Sequence, residues 1–297
     1  MSKEKFTVVG LGEILWDMLP GGKQLGGAPA NFAYHTKSLG AESFIISSIG
    51  NDESGKEILN KLNDLGIDNQ YIIIDKKHPT GSVNVTVDKN GKPDYIISEN
   101  VAWDYIPFNK KYMELAQRND AVCFGSLCQR YSVSRDTIRR FLKSTKRQCI
   151  RIFDVNLRQS YFNKENIDLT LKLSNILKLN DEELQVISTI LNIDGSETDI
   201  LNRLIEIYQL GLIAVTKGSN GSRLFTKQKD SLHRGYSAKI VDTVGAGDCF
   251  AAALAIGLLK EMDLDSINDF ANKAAAFVCS QKGATPEFPD RLLQSIP

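Results

Sequence analysis

The sequence has no excess of either charge, since its 297 residues include 36 Lys and Arg against 36 Asp and Glu. This balance provides no electrostatic attraction to nucleic acid or to an anionic membrane surface. The chain also lacks a run of about 18 consecutive apolar residues, the length that a membrane-spanning helix requires. We therefore expect no nucleic acid partner and no membrane partner.

Cysteine is scarce as well, with five residues scattered along the chain. They are Cys123, Cys128, Cys149, Cys249 and Cys279. Such spacing lacks the close pairs of a zinc site and the density of a disulfide scaffold. The first five residues lead into a strand-like run and do not have the pattern of a secretory signal peptide. These features predict a protein of the reducing cytoplasm.

Hydrophobic residues make up 42% of the chain, which is enough to bury one large core. Short apolar runs at 6–12, 121–127, 149–154 and 212–216 alternate with helical stretches in the larger part of the chain. This alternation predicts an α/β fold with a parallel sheet. Ligands of such sheets bind at the ends of the strands.

The segment 80–105 has a different pattern. Val83, Val85 and Val87 alternate with polar residues, as in a strand with one face in water. Lys89–Lys92 has the composition of a hairpin turn and precedes a returning strand. We predict a small β-sheet lid from residues 13–25 and 81–104, and an α/β core from residues 1–12, 26–80 and 105–297.

A glycine-rich turn at Asp242–Asp248 runs directly into an apolar, Ala- and Leu-rich segment that predicts a buried helix. Glycines let a ligand approach the first amides of a helix, which form an anion site. We interpret Asp248 as a general base that deprotonates an alcohol. The amides of Gly245, Ala246 and Gly247 would then stabilise developing phosphoryl charge. A capped, buried helix is the alternative for this string alone.

A second glycine pair, Gly26 and Gly27, precedes a helix predicted to start near Pro29. Its open amides and the amide side chain of Asn31 suit a sugar hydroxyl, although a capped helix would use the same residues. Asp17 stands alone in apolar company and by itself indicates a turn or edge residue.

Further polar residues directly follow predicted strands. Asp154, Asn156 and Arg158 could hydrogen-bond a polyol, or form a capped loop with a surface Arg. Asn180 and Glu183 have the spacing of a helix cap and its capping-box partner.

These segments resemble, in the same order and over almost the whole chain, the ribokinase-like (PfkB) family of sugar kinases. The closing loop Lys282–Pro286 also matches. The resemblance implies a ribokinase-like fold, a central mostly parallel sheet flanked by helices with a small β lid. It further implies ATP-dependent phosphorylation of a sugar, with magnesium bridging the phosphates, and a homodimer built partly on lid residues 83–98.

The resemblance also assigns residues. It implies that the sugar is bound by Asp17, Gly26, Gly27, Asn31, Asn156 and Arg158. It implies that ATP is bound by Asn180, Thr216, Lys217, Gly218, Gly221 and Asn272, the last beside the adenine. Glu183 would organise magnesium, indirectly. A potassium ion would be held by oxygens of Asp242, Val244, Val278 and Gly283. One departure is Glu287, which stands where some relatives place a Ser after the closing Pro.

Fructose is the sugar that the resemblance favours, since the 154–158 string and Val101–Asp104 look like those of bacterial fructokinases. Ribose, 2-keto-3-deoxygluconate, a nucleoside or a phosphorylated sugar stay open as substrates. A catalytically silent, kinase-like regulatory protein is the alternative of another class. The intact Asp248 and its neighbouring glycines argue against that alternative.

Overall fold

A computed structural model of the chain describes residues 5–19, 21–87 and 93–293. The predicted hairpin turn at Lys89–Lys92 lies outside the described residues. The strands are β1 (Thr7–Leu11), β2 (Leu15–Leu19), β3 (Gly22–Gly26), β4 (Glu42–Gly50), β5 (Ile72–Asp75), β6 (Gly81–Val87), β7 (Pro93–Ile97), β8 (Ala121–Phe124), β9 (Ile150–Asp154), β10 (Ile176–Asn180), β11 (Leu212–Thr216), β12 (Ser222–Phe225) and β13 (Asp230–His233).

Helices follow most of the strands. They are α1 (Ala28–Ser38), α2 (Glu53–Asp64), α3 (Lys110–Arg118), α4 (Ser132–Ser144), α5 (Lys164–Leu173), α6 (Asp181–Leu191), α7 (Glu197–Tyr208), α8 (Ala246–Leu259), α9 (Leu264–Cys279) and α10 (Asp290–Leu293). Short 3₁₀ turns lie at Ala102–Tyr105, Leu127–Gln129 and Gly218–Asn220.

The large sheet has nine strands in the order β13-β12-β11-β10-β9-β8-β1-β4-β5. All neighbours from β11 to β5 are parallel, which confirms the predicted mostly parallel sheet. At the other edge, β12 and β13 run antiparallel, and the sequence reasoning did not anticipate them. In this topology the carboxyl ends of all seven parallel strands lie at the same end of the sheet.

A separate sheet of four strands has the order β3-β2-β6-β7. Strands β2 and β6 are parallel, with Leu15 opposite Gly81, and the outer pairs are antiparallel. Strands β2, β6 and β7 fall within the segments predicted for the lid, and β3 extends one residue beyond them, to Gly26. The chain passes from β1 to β2 over only three residues, so the two sheets are closely joined.

Alternating side chains along the parallel strands divide the interior into two main cores. Val122 and Phe124 face a core that α3 to α7 cover, whereas Ala121 and Cys123 face a core covered by α1, α8 and α9. Helices therefore lie on both faces of the sheet, as the predicted fold requires. The apolar helix α8 is buried along nearly its whole length, which confirms that prediction.

In the described part of the chain, none of the helices combines the length and apolar character needed to cross a membrane. The most apolar of them, α8, has 14 residues, whereas a span needs about 20.

Candidate active site

A cavity of about 720 Å³ is lined by residues from both sheets and from the loops at the carboxyl edge of the parallel strands. Its volume lies within the range of small-molecule sites, and its position is the one that α/β proteins use for ligands. The predicted site residues that line it are Asp17, Gly27, Asn31, Asn156, Arg158, Asn180, Glu183, Thr216, Val244, Gly245, Gly247 and Asp248.

The start of α8 forms one wall of the cavity. Gly245 caps the helix with φ of 79°, a left-handed conformation that favours glycine. A side chain there would also collide with Ala284, because its Cβ would come within 2.6 Å of the Ala284 carbonyl oxygen. The amides of the first helical turn have no partner within the helix, and the turn is open to the cavity at Gly247. This wall can therefore bind an anion.

Asp248 lies in the first turn of α8 and is held by α1. The side-chain nitrogen Nδ2 of Asn31 donates a hydrogen bond to Oδ2 of Asp248 over 2.8 Å. Burial raises the pKa of Asp248, and the hydrogen bond from Asn31 opposes that rise. Two residues 217 positions apart in sequence thus meet at the cavity wall.

The glycine pair before α1 makes room for two acids. A Cβ on Gly26 would lie 2.2 Å from Oδ2 of Asp17, and one on Gly27 would lie 2.4 Å from the carbonyl oxygen of Glu13. Gly27 also adopts φ of 110° as the cap of α1. Gly26 does not line the cavity itself but lies behind Asp17. The absence of side chains at Gly26 and Gly27 thus leaves space for the Asp17 carboxylate and for the backbone at Glu13.

Burial changes the ionisation of Glu13 and Asp17, two acids that line the cavity. It raises the pKa of Glu13 to about 7 and the pKa of Asp17 to about 6. The cation Arg158 opposes both shifts, while Asp248 reinforces them. Glu13 is almost fully buried, and its Oε2 has no hydrogen-bond partner among the described atoms. The sequence reasoning missed Glu13, although a lone acid following a buried strand was the available signal.

A buried ion pair lies beside the anion-binding wall. Nζ of Lys178 is 2.9 Å from each carboxylate oxygen of Asp154. A Cβ built on Gly247 would lie 3.1 Å from that ammonium, so Lys178 stands directly behind the first turn of α8. Burial alone would lower the pKa of Lys178, but Asp154 outweighs it and raises that pKa. Lys178 therefore remains a cation, and the sequence reasoning had not assigned it a role.

Asn156 and Arg158 follow β9 at the cavity mouth. Asn156 has φ of 40°, and its carbonyl oxygen accepts a hydrogen bond from Ser126 over 3.4 Å. Arg158 is exposed, and its Nη1 donates to the carbonyl oxygen of Leu157. Both side chains line the cavity together with Asp154.

Asn180 and Glu183 form the predicted capping box at the start of α6. Oδ1 of Asn180 accepts from the amide of Glu183 over 2.7 Å, and Oε2 of Glu183 accepts from the amide of Asn180 over 2.9 Å. The other oxygen, Oε1, accepts from the amide of Leu157 over 2.8 Å. Glu183 thus ties the loop after β9 to the start of α6, with both oxygens engaged by backbone.

The loop after β11 meets the cavity only at its beginning. Thr216 lines the cavity, whereas Lys217 forms an ion pair with Glu197 over 2.7 Å. Gly218 and Gly221 lie in the following turn, where a Cβ on Gly221 would come within 2.0 Å of the carbonyl oxygen of His233. That turn is therefore fixed by close backbone packing.

Asn272 and Val278 are among the predicted residues that lie away from the cavity lining. Asn272 is buried, and its Nδ2 donates to the side-chain oxygens of Ser222 and Asn268. Val278 is buried near the end of α9, and its carbonyl oxygen accepts from the amide of Gln281. Neither side chain is brought to the cavity, because both positions face the core under β12 and α8.

The residues predicted to hold a cation bridge two loops. Oδ1 of Asp242 accepts from the amide of Val244 over 3.0 Å, and Oδ2 accepts from the amide of Gly283 over 3.2 Å. Glu287, the residue that departs from the family pattern, is exposed. Among the described residues, no group of three or more His, Cys, Asp or Glu side chains is arranged to hold a metal ion.

The fold and the cavity together define an α/β enzyme with an anion-binding wall and a buried acid. A model of the pfkB family carbohydrate kinases matches residues 20–291. The chain belongs to this family, and it is accordingly an ATP-dependent carbohydrate kinase with a ribokinase-like fold.

Individual relatives agree with that assignment. A sugar kinase of Pyrococcus horikoshii is 32% identical over 282 residues, which cover 92% of this chain and 86% of that protein. Its crystal structure, described as that of an uncharacterized sugar kinase, has a TM-score of 0.84 at 29% identity and covers 97% of both chains. Fructokinase-1 of Zea mays is 27% identical over 317 residues, covering 97% of this chain and 96% of that protein.

The fold is shared with a fructokinase of Vibrio cholerae. A double mutant of that enzyme, solved with fructose, ADP and a potassium ion, has a TM-score of 0.82 at 23% identity and covers all of both chains.

Proposed function

We propose that this kinase is a fructokinase, which transfers the γ-phosphoryl group of ATP to a hydroxyl group of D-fructose. The observation that carries the transfer chemistry is the Asn31–Asp248 pair at the start of α8, inside the cavity. The preference for fructose is supported by the 154–158 string and by relatives such as fructokinase-1 of Zea mays. ATP is supported by the Pyrococcus horikoshii relative, which was also solved in complex with ATP.

Asp248 acts as the general base for the sugar hydroxyl. Its raised pKa increases the proton affinity of the carboxylate, and Asn31 holds one of its oxygens in place. General-base catalysis of this kind contributes about 10²–10⁴ in rate. The acid Asp17, with Asn31 and Asn156 nearby in the lining, offers hydrogen-bond partners for the remaining sugar hydroxyls.

Charge on the transferring phosphoryl group is balanced by the amides of Gly245, Ala246 and Gly247 with the dipole of α8. The Lys178 ammonium, directly behind Gly247, adds a fixed positive charge to that wall. Losing one backbone donor of such a site typically reduces the rate by about 10²–10³.

Magnesium fits the donors on the nucleotide side of the cavity only if phosphates and water supply most of its ligands. Both oxygens of Glu183 accept from backbone amides, and both oxygens of Asp154 accept from Lys178. Mg²⁺ commonly keeps several waters when it binds nucleotide phosphates. Glu183 therefore acts on the ion indirectly, and Thr216 contacts the nucleotide with the loop Lys217–Gly221.

The small sheet, with residues 13–25 and 81–104, acts as a lid over the sugar. Leu15, Val83 and Ile97 from this sheet line the cavity beside Asp17. Closure of the lid over these apolar side chains excludes water that would otherwise hydrolyse ATP.

A potassium ion beside the anion-binding wall would stiffen the loop that carries Gly245. Backbone oxygens of Val244, Val278 and Gly283, with Asp242, suit such a hard cation. The test compares activity in potassium with activity in tetramethylammonium at fixed ionic strength. Higher activity in potassium is expected, and equal activity in the two salts would remove the cation from the mechanism.

The substrate is tested by measuring ADP release from ATP and magnesium across fructose, ribose and 2-keto-3-deoxygluconate. Fructose should give the highest kcat/KM. A tenfold preference for another sugar would refute the fructokinase assignment but not the kinase chemistry, whereas no turnover with any sugar would support a silent regulatory protein.

A further inference from the structure

Helix α1 presents two side chains, four residues apart, to the start of α8 and to the closing loop Lys282–Pro286. Asn31 donates from its Nδ2 to Asp248 over 2.8 Å, as described above. One turn later, Nε2 of His35 lies 2.9 Å from the carbonyl oxygen of Ala284. Residues at this spacing lie on the same face of a helix. A single helix face therefore contacts both the acid and the closing loop.

The hydrogen-bonding role of His35 follows from its partner. A carbonyl oxygen can only accept, so Nε2 carries the proton and donates it. Nδ1 has no partner among the described atoms, and burial lowers the pKa of His35 to about 4. The ring is consequently neutral at physiological pH. It stacks on Phe288 at 5.4 Å between centroids and meets Tyr34 edge-on at 5.3 Å, which fixes its plane.

The acceptor of this hydrogen bond packs directly on the anion-binding wall. A Cβ on Gly245 would lie 2.6 Å from the Ala284 oxygen and 2.8 Å from its Cα. The preceding residue, Gly283, donates its amide to Asp242, which also accepts from the amide of Val244. Gly283 and Ala284, here called the closing segment, thus form one layer with the loop 242–245.

We propose that His35 is a positioning residue of the phosphoryl-transfer site. By donating Nε2–H to the carbonyl of Ala284, it holds the closing segment against Gly245 and thereby fixes the amides that begin α8. The effect of this residue on catalysis rests on the proposed kinase function. Its effect on the closing segment does not, and the two effects are measured separately.

A histidine that only fills the core would behave differently. Its replacement by an apolar residue of similar length would lower the stability of the fold and leave the activity of the folded fraction unchanged. Thr36 provides a matched control, because it is equally buried on the next position of α1. Its hydroxyl bonds to Phe32, Ala33 and Ser43, away from the closing segment.

Three variants separate the two roles: His35→Met, His35→Gln and Thr36→Val. The Gln amide can donate from nearly the position of Nε2, whereas Met cannot donate. For His35→Met, we expect kcat per folded molecule to fall about tenfold to a hundredfold, with the sugar KM within about threefold, as for a small misplacement of catalytic groups. His35→Gln should restore kcat to within about threefold, and Thr36→Val should keep wild-type kcat despite a lower Tm.

Hydrogen–deuterium exchange of the backbone amides in residues 283–288, which include the closing segment, measures the role of His35 without requiring turnover. Exchange in this segment should be faster in His35→Met than in the wild type, His35→Gln or Thr36→Val. Unchanged exchange, or an unchanged kcat in His35→Met, would overturn the proposal. If the wild type turned over no sugar, the proposed function would fail, and the exchange comparison alone would still decide the role of His35.

Discussion

Asp248 is half-buried at the start of α8, and its carboxylate accepts a hydrogen bond from Asn31. Replacement by Asn keeps the shape of the side chain but removes the base. We expect Asp248→Asn to lower kcat by about 10²–10⁴ while the KM for ATP changes little. The measurement is steady-state ADP release at saturating sugar.

Stability supplies the control for that variant. Because burial raises the pKa of Asp248, its charged form is less favourable in the folded protein than in the unfolded chain. Asp248→Asn should therefore have a Tm at pH 7 at least equal to that of the wild type. A near-normal kcat in a folded variant would show that Asp248 is not the base.

The variant Gly26→Ala tests the proposed sugar-binding role of Asp17. A Cβ at this position would lie 2.2 Å from Oδ2 of Asp17, so Gly26→Ala must displace that carboxylate. A lost hydrogen bond to a charged group is worth roughly 1.5–3 kcal/mol. We expect kcat/KM for the sugar to fall about tenfold to a hundredfold, since about 1.4 kcal/mol corresponds to a factor of ten.

Gly21 is the matched control on the same hairpin, because a Cβ there would meet nothing within 4 Å. Gly21→Ala should leave kcat/KM unchanged. An equal loss in both variants would indicate a general effect on the hairpin rather than displacement of Asp17.

Sequence reasoning found the site residues that follow glycines at helix starts, and it missed Lys178, which lies inside a strand. Asn31 and Asp248 follow glycines at helix starts, where their chemistry is visible locally. Lys178 lies within an apolar strand, and its partner Asp154 is 24 residues away on β9. Such a pair depends on the adjacency of β9 and β10, which local patterns do not reveal. The hydrogen bond from Asn272, which is predicted to lie beside the adenine, to Ser222 on β12 likewise depends on the packing of separate elements.

At the level of elements, α6 and α7 start with the same capping box in different surroundings. Glu183 completes the capping box of α6 at the cavity and also accepts from the amide of Leu157, whereas Asp199 completes the capping box of α7 on the surface. Glu183→Gln replaces one acceptor oxygen by a donor, which should destabilise the fold by about 0.5–2 kcal/mol, the range for lost helix caps. We also expect the KM for ATP to rise, because the loop after β9 loses its anchor.

Asp199→Asn makes the same chemical change in α7 and serves as the comparison. It should lower stability without altering the KM for ATP. Both parameters come from thermal unfolding and from ADP-release kinetics. If Glu183→Gln changed only stability, the capping box of α6 would have no role in nucleotide binding.

Much of the fold was predictable because its parallel strands are short apolar runs between helices. The strand β11, for example, was predicted at its observed bounds, Leu212–Thr216. The antiparallel edge was not, since β12 contains Arg223 and β13 begins at Asp230, and the ion pair between them is visible only once the strands are paired.

For the molecule as a whole, the raised pKa values of the cavity acids link stability to pH. Glu13 has a folded pKa of about 7, so the folded state binds more protons than the unfolded state between its ordinary pKa and pH 7. Its contribution to stability is therefore present at low pH and lost as the pH rises through 7. Glu13→Gln should raise Tm relative to wild type more at pH 8 than at pH 5.

The buried His35, whose pKa is lowered to about 4, makes stability depend on pH in the opposite direction. Because the wild type and Glu13→Gln both contain His35, its effect cancels in the difference between their Tm values. A Tm difference between wild type and Glu13→Gln that stays constant from pH 5 to pH 8 would contradict the shifted pKa.

The small sheet also bears on assembly. Its outer strands, β3 and β7, are edges, and edges of this kind pair readily with other chains. Ile96 on β7 is 52% exposed. We expect a homodimer formed partly through residues 83–98, which Ile96→Lys should weaken. Sedimentation at micromolar concentration measures the oligomeric state of the wild type and of Ile96→Lys. A monomeric wild type would contradict the expectation.

The burial of α8 has a consequence for how the chain is made. The second core consists of the sheet face around Val8, Cys123 and Ile152 together with α8 and α9. Helix α1 covers part of this face early, but α8 and α9 begin only at residue 246, so the ribosome completes all nine strands of the sheet before these two helices exist. At about 5–20 residues per second, the nascent chain exposes this apolar face for several seconds. A chaperone that binds apolar segments should therefore hold ribosome-stalled chains ending near residue 240, and release them once residue 279 has emerged.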